Sequence, residues 1–281
     1  MVDRAERGAG GEIELERGDR QALLVPAAGR GIGQAAAEAL RDAGYRVFGT
    51  SRKSVPQPLD GITMLTGDVT SDASIAKLVD DILSMAGRID LLVNNAGFGI
   101  QGAAEETSIA QVQALFETNF HGVVRMTNAV LPIMRGQGSG RILNVSSVLG
   151  LIPAPYGAYY SATKHAVEGY SESLDHEVRE FGVRVAVIEP AFTRTSFESN
   201  TVVSDRPLTA YDRGLAKSSA AFARGLATGD AAGDVAETIV QAAQDKSPRL
   251  RYPSGKSARQ LVFARRFLPR SLFDKSQHKQ F

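Results

Sequence analysis

Short apolar runs alternate with longer amphipathic stretches along most of the chain. The short runs are rich in Val, Ile and Leu and lie between Gly, Pro or polar residues, which is typical of buried β-strands. They predict strands at residues 21–26, 45–50, 62–65, 89–93, 141–146, 183–188 and 249–252. The longer stretches repeat apolar side chains at helical spacing. They predict helices at residues 31–43, 72–86, 108–135 (bent near Gly122), 157–181 and 230–244.

This alternation, with short links between the elements, predicts a single Rossmann-type α/β domain over residues 21–252. We expect a doubly wound parallel sheet of about seven strands with helices on both faces, because the strands are mainly apolar, which fits burial on both sides. The charged, Gly-rich residues 1–20 predict a disordered N-terminal extension. Two further segments fall outside the repeating pattern, residues 192–229 and the tail 253–281.

The composition excludes several classes of function. Lys and Arg number 32 against 31 Asp and Glu, so a net charge of +1 gives no preference for nucleic acid. The absence of Cys excludes disulfides, thiolate metal sites and Cys nucleophiles. The four His show no ligand spacing, so no metal site is predicted. No apolar run approaches the roughly 18 residues of a membrane span, and no apolar signal-peptide core is present, which predicts a cytoplasmic protein.

A glycine-rich turn, Pro26-Ala-Ala-Gly-Arg-Gly-Ile-Gly33, joins the first predicted strand to the first helix. Such a turn lets the backbone approach a pyrophosphate, and the helix N-terminus favours negative charge. A tight turn that only packs the helix closely is the alternative. The place of this turn between the first strand and the first helix favours dinucleotide binding. The candidate cofactor-binding residues here are Ala27, Gly29, Arg30, Gly31, Ile32 and Gly33.

The end of the second strand bears on the choice of cofactor. Thr50 is followed by Ser51, Arg52 and Lys53, with no carboxylate to hold the ribose 2′-hydroxyl of NAD. The two cations can pair with the 2′-phosphate of NADP, and Arg30 can add a third positive charge. A solvated basic corner is the alternative. We therefore predict NADP(H) as the preferred cofactor over NAD(H).

Candidate catalytic groups follow the fifth predicted strand. Tyr160 and Lys164 share one face of a helix because they are four residues apart. A phenol has a pKa near 10, and a nearby ammonium lowers it, while the same ammonium can also bind ribose hydroxyls. This pair alone is common by chance, but Ser147 lies at the strand end where ligands bind in such sheets. Its hydroxyl can hydrogen-bond a substrate oxygen.

Several motifs in the same order resemble the short-chain dehydrogenase/reductase family over roughly residues 21–252. The motifs that carry the resemblance are Gly31-Ile32-Gly33, Asp68-Val69, Asn94-Asn95-Ala96-Gly97, Asn119, Ser147, Tyr160 with Lys164, and Pro190 with Thr195. The stretches 94–99, 119–122, 160–167 and 189–195 are similar to the 17β-hydroxysteroid-dehydrogenase-like branch.

The resemblance implies a role for each catalytic residue. Tyr160 would be the general acid/base, and Lys164 would bind ribose and lower the phenol's pKa. Ser147 would orient and polarise the carbonyl, and Asn119 would hold a water that links Lys164 to solvent.

The resemblance also extends the cofactor site and implies an oligomer. Asp68 and Val69 would contact adenine, and Thr195 would face the nicotinamide carboxamide. The other residues assigned to the cofactor cleft are Asn95, Ala96, Gly97, Tyr160, Lys164 and Pro190. A homodimer or homotetramer through the two long helices is implied.

The chain departs from the family pattern at two glycines. Ala27 and Ala191 stand where the family has Gly, and Pro26 stands where it has Thr. A positive φ at Ala27 would cost about 1–2 kcal/mol, so we expect weaker cofactor binding. We predict an NADP(H)-dependent oxidoreductase that moves a hydride between nicotinamide and a carbonyl or secondary alcohol. The alternative is a degenerate member that binds or senses nucleotide without turnover.

Two segments bear on the substrate and on partners. Residues 192–229 are predicted to form a substrate lid, and apolar side chains in the lid and after Ser147 favour an apolar substrate. These side chains are Leu149, Leu151, Ile152, Tyr156, Phe192, Phe197, Leu208, Tyr211, Leu215 and Phe222. Several of them could instead only anchor the lid. The tail 253–281 favours packing on the domain or a partner subunit, with contact to an anionic membrane as the alternative.

Overall fold

The computed structural model describes residues 21–52, 59–195, 197, 200–269 and 271–273. The predicted extension 1–20 and the candidate cofactor residue Lys53 lie outside the described residues. The strands are β1 Ala22–Val25, β2 Arg46–Ser51, β3 Ile62–Thr66, β4 Leu91–Asn94, β5 Ile100–Gln101, β6 Gly140–Val145, β7 Val183–Pro190, β8 Thr193–Arg194, β9 Val202–Val203, β10 Asp230–Ala231 and β11 Arg251–Ser254. The helices are α1 Gly31–Asp42, α2 Asp72–Ala86, α3 Ile109–Phe116, α4 Gly122–Gln137, α5 Ala158–Val178, α6 Asp212–Ala227, α7 Ala232–Gln244 and α8 Gly255–Phe267.

Seven strands form one parallel sheet in the order β11-β7-β6-β4-β1-β2-β3. The central strand β1 pairs with β2 on one side and with β4 on the other, so the strand order reverses at this point. Ligands bind at the carboxyl end of the sheet beside such a reversal. The predicted doubly wound Rossmann-type sheet is therefore confirmed.

Successive strand residues pack against opposite helical layers because side chains alternate across a strand. Leu23 lies in a buried cluster with Leu40 of α1 and Ile239 of α7. Leu24 lies in the cluster on the other face, with Ile82 of α2 and Met126 of α4. Strand β1 is buried on both sides, which explains its continuous apolar sequence.

The long helix predicted over 108–135 is divided into two parts. A π-helical turn, Glu117–His121, joins α3 to α4 and carries the buried Asn119. A π turn inserts one extra residue per turn, and the apolar periodicity on either side gives no sign of it. The bend predicted near Gly122 lies at the end of this turn.

The lid segment has structure of its own. Strand β8 pairs with β10, and β9 pairs with β5, so the segment takes part in two small parallel sheets. Helix α6 lies between β9 and β10 in the sequence. The pairing of Asp230–Ala231 with β8 delays the start of α7 to Ala232, two residues later than predicted. Among the residues that the structure describes, no helix combines the length and apolarity needed to cross a bilayer.

Candidate active site

The predicted catalytic side chains lie together at the carboxyl edge of the sheet. Ser147 follows β6, Tyr160 and Lys164 lie in the first two turns of α5, and Asn119 lies in the π turn. The Lys164 Nζ donates to the carbonyl of Val145 at 2.8 Å. It lies 5.6 Å from the centre of the Tyr160 ring. The Ser147 hydroxyl hydrogen-bonds Tyr160 and accepts from the amide of Leu149 at 3.1 Å.

Burial controls the protonation of Tyr160. Burial raises the pKa of the Tyr160 phenol well above its ordinary value, and the hydrogen bond with Ser147 only partly opposes this. The lowering of this pKa by Lys164, which the resemblance implies, stays a prediction. In the structure the effect of burial is the larger one. Tyr160 therefore keeps its proton at neutral pH.

The amine of Lys164 is itself affected by burial. Burial lowers its pKa to about 8, while the nearby Glu168 carboxylate raises it and so limits the change. Lys164 is 7% exposed, so its charge is poorly hydrated and depends on the carbonyl of Val145 and on Glu168. The cation is available at neutral pH but titrates close to the physiological range.

Asn119 connects three parts of the site. Its side-chain oxygen accepts from the amide of Phe98 at 3.0 Å. Its nitrogen donates to the carbonyl of Phe98 at 2.9 Å and to the Thr163 hydroxyl at 3.3 Å. These bonds hold the π turn against the loop after β4 and against α5. A Cβ at Gly97 would lie 3.2 Å from the Asn119 oxygen, so this loop packs closely on the asparagine. The water-holding role implied for Asn119 stays a prediction.

The glycine-rich turn has the tight backbone that its sequence predicts. Ala27 adopts φ +57° and Gly31 adopts φ +59°. A Cβ on Gly33 would lie 2.3 Å from the Ala27 carbonyl oxygen and 2.5 Å from Nδ2 of Asn95, so only glycine fits there. No side chain caps the N-terminus of α1, which follows Arg30. The turn therefore leaves N–H groups and a positive helix end at the cleft.

The basic corner after β2 has an acidic neighbour. Arg52 is exposed, and its charge helps to hold the pKa of Asp68 below its ordinary value, although hydrogen bonds from Thr70 contribute more. Arg30 reaches across the cleft and donates to the Asn200 side-chain oxygen at 2.5 Å. It thereby links the phosphate turn to the lid. Ser51, half-buried, ends β2 beside these groups.

The remaining cofactor candidates line the same edge of the sheet. Val69 packs against α4, because a Cβ on Gly122 would lie 2.9 Å from its Cγ2. Gly29, Ile32, Asn95 and Ala96 are partly buried. The carbonyl of Pro190 accepts from the Ser147 hydroxyl at 3.4 Å. The Thr195 hydroxyl accepts from the amide of Phe197 at 3.2 Å.

The lid side chains divide into two groups. The ring of Phe197 lies edge-on to Tyr160, with 5.6 Å between centroids, at the mouth of the site. Phe192 instead packs on Phe222 of α6 at 5.5 Å, so this pair anchors the lid. Tyr156 has φ +60°, and its hydroxyl occupies the space where Gly214 of α6 would carry a Cβ. A cavity of about 440 Å³ adjoins it, lined by Ala103, Ala104, Glu105, Ala154, Pro155, Tyr156, Ala158 and Tyr211.

The sequence reasoning missed a buried charge cluster behind Lys164. Glu189 is fully buried and Glu168 is 4% exposed. Arg251 Nε lies 3.1 Å from Glu168 and 3.3 Å from Glu189. Burial, with repulsion from Glu168, raises the pKa of Glu189 to about 8. Glu168 follows Lys164 by one helical turn, and Glu189 is the one acid in a strand of mainly apolar residues, so both positions carried a detectable signal.

Comparison with known proteins agrees with this geometry. The family model described as short chain dehydrogenase matches residues 21–205. The 3-ketodihydrosphingosine reductase of Bacteroides thetaiotaomicron is 43% identical over 185 residues, which cover 66% of this chain and 68% of that protein. A solved short-chain dehydrogenase from Streptomyces avermitilis has a TM-score of 0.79 and 33% identity, with 93% of this chain and 94% of that chain covered. A short-chain dehydrogenase/reductase from Burkholderia phymatum, solved in complex with NAD, has a TM-score of 0.74 and 26% identity, with 90% and 94% covered.

Proposed function

The chain belongs to the short-chain dehydrogenase family, and from this premise we propose that it is an NADP(H)-dependent oxidoreductase acting on a hydrophobic carbonyl or secondary alcohol. The observation that carries the proposal is the meeting of Ser147, Tyr160 and Lys164 at the edge of the sheet that also holds the glycine-rich turn. Phenol, hydroxyl and amine together form a proton-transfer site beside a dinucleotide cleft.

The residues present fit a nicotinamide dinucleotide. The uncapped start of α1 and the turn with Ala27 and Gly31 at positive φ offer backbone N–H groups to a pyrophosphate. In this proposal Lys164 binds ribose hydroxyls and Thr195 contacts the nicotinamide carboxamide. When bound, the cofactor would supply or accept the hydride at the substrate carbon.

The side chains of the chain handle the proton and the substrate oxygen. Ser147 donates a hydrogen bond to the carbonyl oxygen and polarises it. Tyr160 transfers its phenolic proton to that oxygen as the carbon is reduced, and the proton is replaced from solvent. Because burial keeps Tyr160 protonated, the acid form that reduction requires dominates at neutral pH. Oxidation of an alcohol would use the same groups in reverse, with the Tyr160 phenolate accepting the proton.

The preference for NADP(H) rests on charge at the adenosine end of the cleft. Arg30 and Arg52 are exposed there, and β2 ends without a carboxylate. A 2′-phosphate would pair with guanidinium groups that the ribose hydroxyl of NAD would leave unpaired. Lys53 would add to this charge in the same proposal.

The proposed substrate class follows from the apolar mouth of the site. Phe197 presents its aromatic edge to Tyr160, and Tyr156 and Tyr211 line a separate cavity whose other walls are mainly Ala and Pro. Such surface favours an apolar skeleton around the carbonyl. The relative from Bacteroides is, by its name, a reductase of a 3-keto compound, which supports the same reaction type.

The test is a matched pair of tyrosine variants. We expect NADPH consumption with a panel of hydrophobic ketones, and we expect Tyr160→Phe to lower kcat about 10²–10⁴-fold while NADPH still binds. Tyr159→Phe is the control, because Tyr159 is adjacent and donates to the carbonyl of Ala104 rather than to the site. Full turnover by Tyr160→Phe would exclude the mechanism. Tight NADPH binding without turnover of any ketone would favour the nucleotide-sensing alternative.

A further inference from the structure

Two buried carboxyl groups behind Lys164 take no part in the steps proposed above. Glu168 of α5 is 4% exposed, and Glu189 of β7 is fully buried. Burial of a carboxylate is costly unless a partner of opposite charge is present. The place of these two groups beside the amine of the candidate site therefore needs an explanation.

Lys164 and Glu168 share one face of α5, because they are four residues apart. The Lys164 amine donates to the carbonyl of Val145 at 2.8 Å, but this neutral partner supplies no opposite charge. The Glu168 carboxylate does supply one, and it opposes the effect of burial on the pKa of the Lys164 amine. Glu168 is thus the counter-ion of a buried amine.

Arg251 of β11 holds the Glu168 carboxylate. Its Nε donates to Glu168 at 3.1 Å, and its Nη2 donates to Glu172, one turn further along α5, at 2.9 Å. A guanidinium keeps its charge in proteins, so Arg251 favours the ionised form of Glu168. Arg251 lies outside residues 21–205, the span that the family model matches. The edge strand β11 therefore contributes a charge to the site.

Glu189 differs from Glu168 in its contacts. Its Oε1 lies 3.3 Å from Arg251 Nε, but neither of its oxygens has a hydrogen-bond partner among the described residues. Burial, with repulsion from Glu168, raises the pKa of Glu189 to about 8. Burial also raises the pKa of Glu168, but the Ser146 hydroxyl, Arg251 and Lys164 all oppose that rise. At neutral pH Glu189 therefore carries a proton and Glu168 carries the charge.

The turn after Ser147 packs directly on Glu168. A Cβ on Gly150 would lie 2.8 Å from Glu168 Cγ and 3.1 Å from its Oε1, so the side chain is closely confined. Gly150 belongs to the turn Val148–Gly150, which begins directly after Ser147. The carboxylate is thereby fixed relative to both Ser147 and Lys164.

The charges in this cluster balance. With Glu189 neutral, the cations Lys164 and Arg251 offset the carboxylates Glu168 and Glu172. We propose that Glu168, held by Arg251, is a positioning residue that keeps the Lys164 amine charged and in place. In the proposed function, on which this inference rests, the charged amine binds ribose hydroxyls. A neutral amine would bind them more weakly, because a charged donor forms the stronger hydrogen bond.

The charge on Lys164 can be measured by NMR on the full chain containing isotope-labelled lysine, with its ε-methylene signal assigned by loss in Lys164→Arg. In the parent chain about half of the amine should be charged at pH 8. In Glu168→Gln about one tenth or less should be charged at that pH, because the adjacent opposite charge is lost. Glu172→Gln is the matched control, since Glu172 binds the same guanidinium but is 48% exposed, and it should titrate like the parent.

Variants of Arg251 test whether it acts through Glu168. Arg251→Gln should lower the charged fraction of Lys164 toward that of Glu168→Gln, and Arg251→Lys should restore part of it. Arg251→Gln added to Glu168→Gln should cause no further loss. The side chain of Arg251 is 32% exposed, so these variants decide the matter if thermal unfolding shows that Glu168→Gln does not fold. An unchanged titration of Lys164 in Glu168→Gln, or in Arg251→Gln, overturns the proposal.

Binding of NADPH then tests the link to the proposed function. At pH 8 the Kd of NADPH for Glu168→Gln should exceed that of the parent about fivefold, in proportion to the charged fraction of Lys164. At pH 6 the two values should converge, whereas a purely structural defect would raise the Kd at both pH values. A shifted titration in a chain that binds no NADPH would support the charge assignment and contradict the proposed function.

Discussion

The proton on Tyr160 depends on how little water reaches the phenol. Burial raises the pKa of Tyr160, and the Ser147 hydroxyl lowers it by a smaller amount. The Tyr-x-x-x-Lys spacing alone suggests a lowered pKa, because the sequence shows the nearby cation but does not show how far the phenol is removed from water. In the proposed mechanism Ser147 therefore has two effects, since it would polarise the substrate oxygen and its hydrogen bond favours the charged form of Tyr160.

Replacement of Ala27 by Gly should stabilise the protein. Ala27 has φ +57°, a conformation that costs a residue with a Cβ about 1–2 kcal/mol. Gly removes this strain, and we expect Tm to rise by about 2–4 °C. Because the strain is already present in the free protein, it cancels in binding. The weaker cofactor binding expected from the sequence therefore does not follow from this strain, and the Kd of NADPH should change little. Ala28→Gly is the control, since Ala28 is buried without positive φ and its substitution should lower Tm.

The second prediction at the residue scale concerns stability against pH. The folded-state pKa of Glu189 is raised to about 8, so the folded protein keeps a proton that the unfolded chain loses near its ordinary carboxyl pKa. Glu189 therefore makes unfolding easier as pH rises from about 4.5 to about 8. Glu189→Gln removes this titration, so the Tm of the variant should fall less between pH 5 and pH 8.

Glu172→Gln provides the control for that measurement. Glu172 binds the same guanidinium, with Arg251 at 2.9 Å, but its side chain is 48% exposed. Its substitution should leave the pH dependence of Tm close to that of the parent chain. Identical pH dependence in the Glu189→Gln variant and the parent would mean that Glu189 is ionised in the folded protein.

At the scale of elements, the lid is held by aromatic packing between two segments. Phe222 of α6 packs edge-on against Phe192, which follows β7. We expect Phe222→Ala to loosen α6, to raise KM for hydrophobic ketones several-fold, and to leave the Kd of NADPH unchanged, because the cofactor turn is on the other side of the cleft. Phe181→Ala, three residues after the end of α5 and 38% exposed, is the control. An unchanged KM would mean that α6 does not shape the substrate site.

The π turn between α3 and α4 is the other element that positions the site. It places Asn119 within hydrogen-bond distance of the Phe98 backbone and of Thr163 on the catalytic helix. A regular α-helix through Glu117–His121 would rotate this side chain by a fraction of a turn. Two elements that are distant in sequence are thus held in register by one irregular turn.

At the scale of the whole molecule, cofactor binding should stabilise the fold as a unit. A ligand at 100 times its Kd adds about 2.7 kcal/mol to the free energy of unfolding. For a domain of this size we expect NADPH to raise Tm by about 5–10 °C. NADH at the same concentration should raise Tm less, because Arg30 and Arg52 gain no phosphate partner. Equal shifts with the two cofactors would contradict the proposed preference for NADP(H), and Arg52→Ala should reduce the NADPH shift alone.

The sequence by itself determined the class of fold and the placing of its main motifs. Strand and helix periods are local properties of the side-chain pattern, so alternation was enough to predict the parallel sheet around β1. Spacing was likewise enough to put Tyr160 and Lys164 on one helix face. The boundaries of α2 matched residue for residue, because a Ser71 cap and Gly87 mark its two ends.

Only the tertiary structure decided the properties that depend on contacts between distant segments. The buried cluster joins Glu168 of α5, Glu189 of β7 and Arg251 of β11. These three elements are well separated in the sequence. The direction of the Tyr160 pKa shift depends on how much water the folded lid and sheet exclude. Which face of α8 remains exposed depends on how Ala258 packs against the domain. Solvation and long-range packing are collective properties of the folded chain, and a local pattern of residues does not encode them.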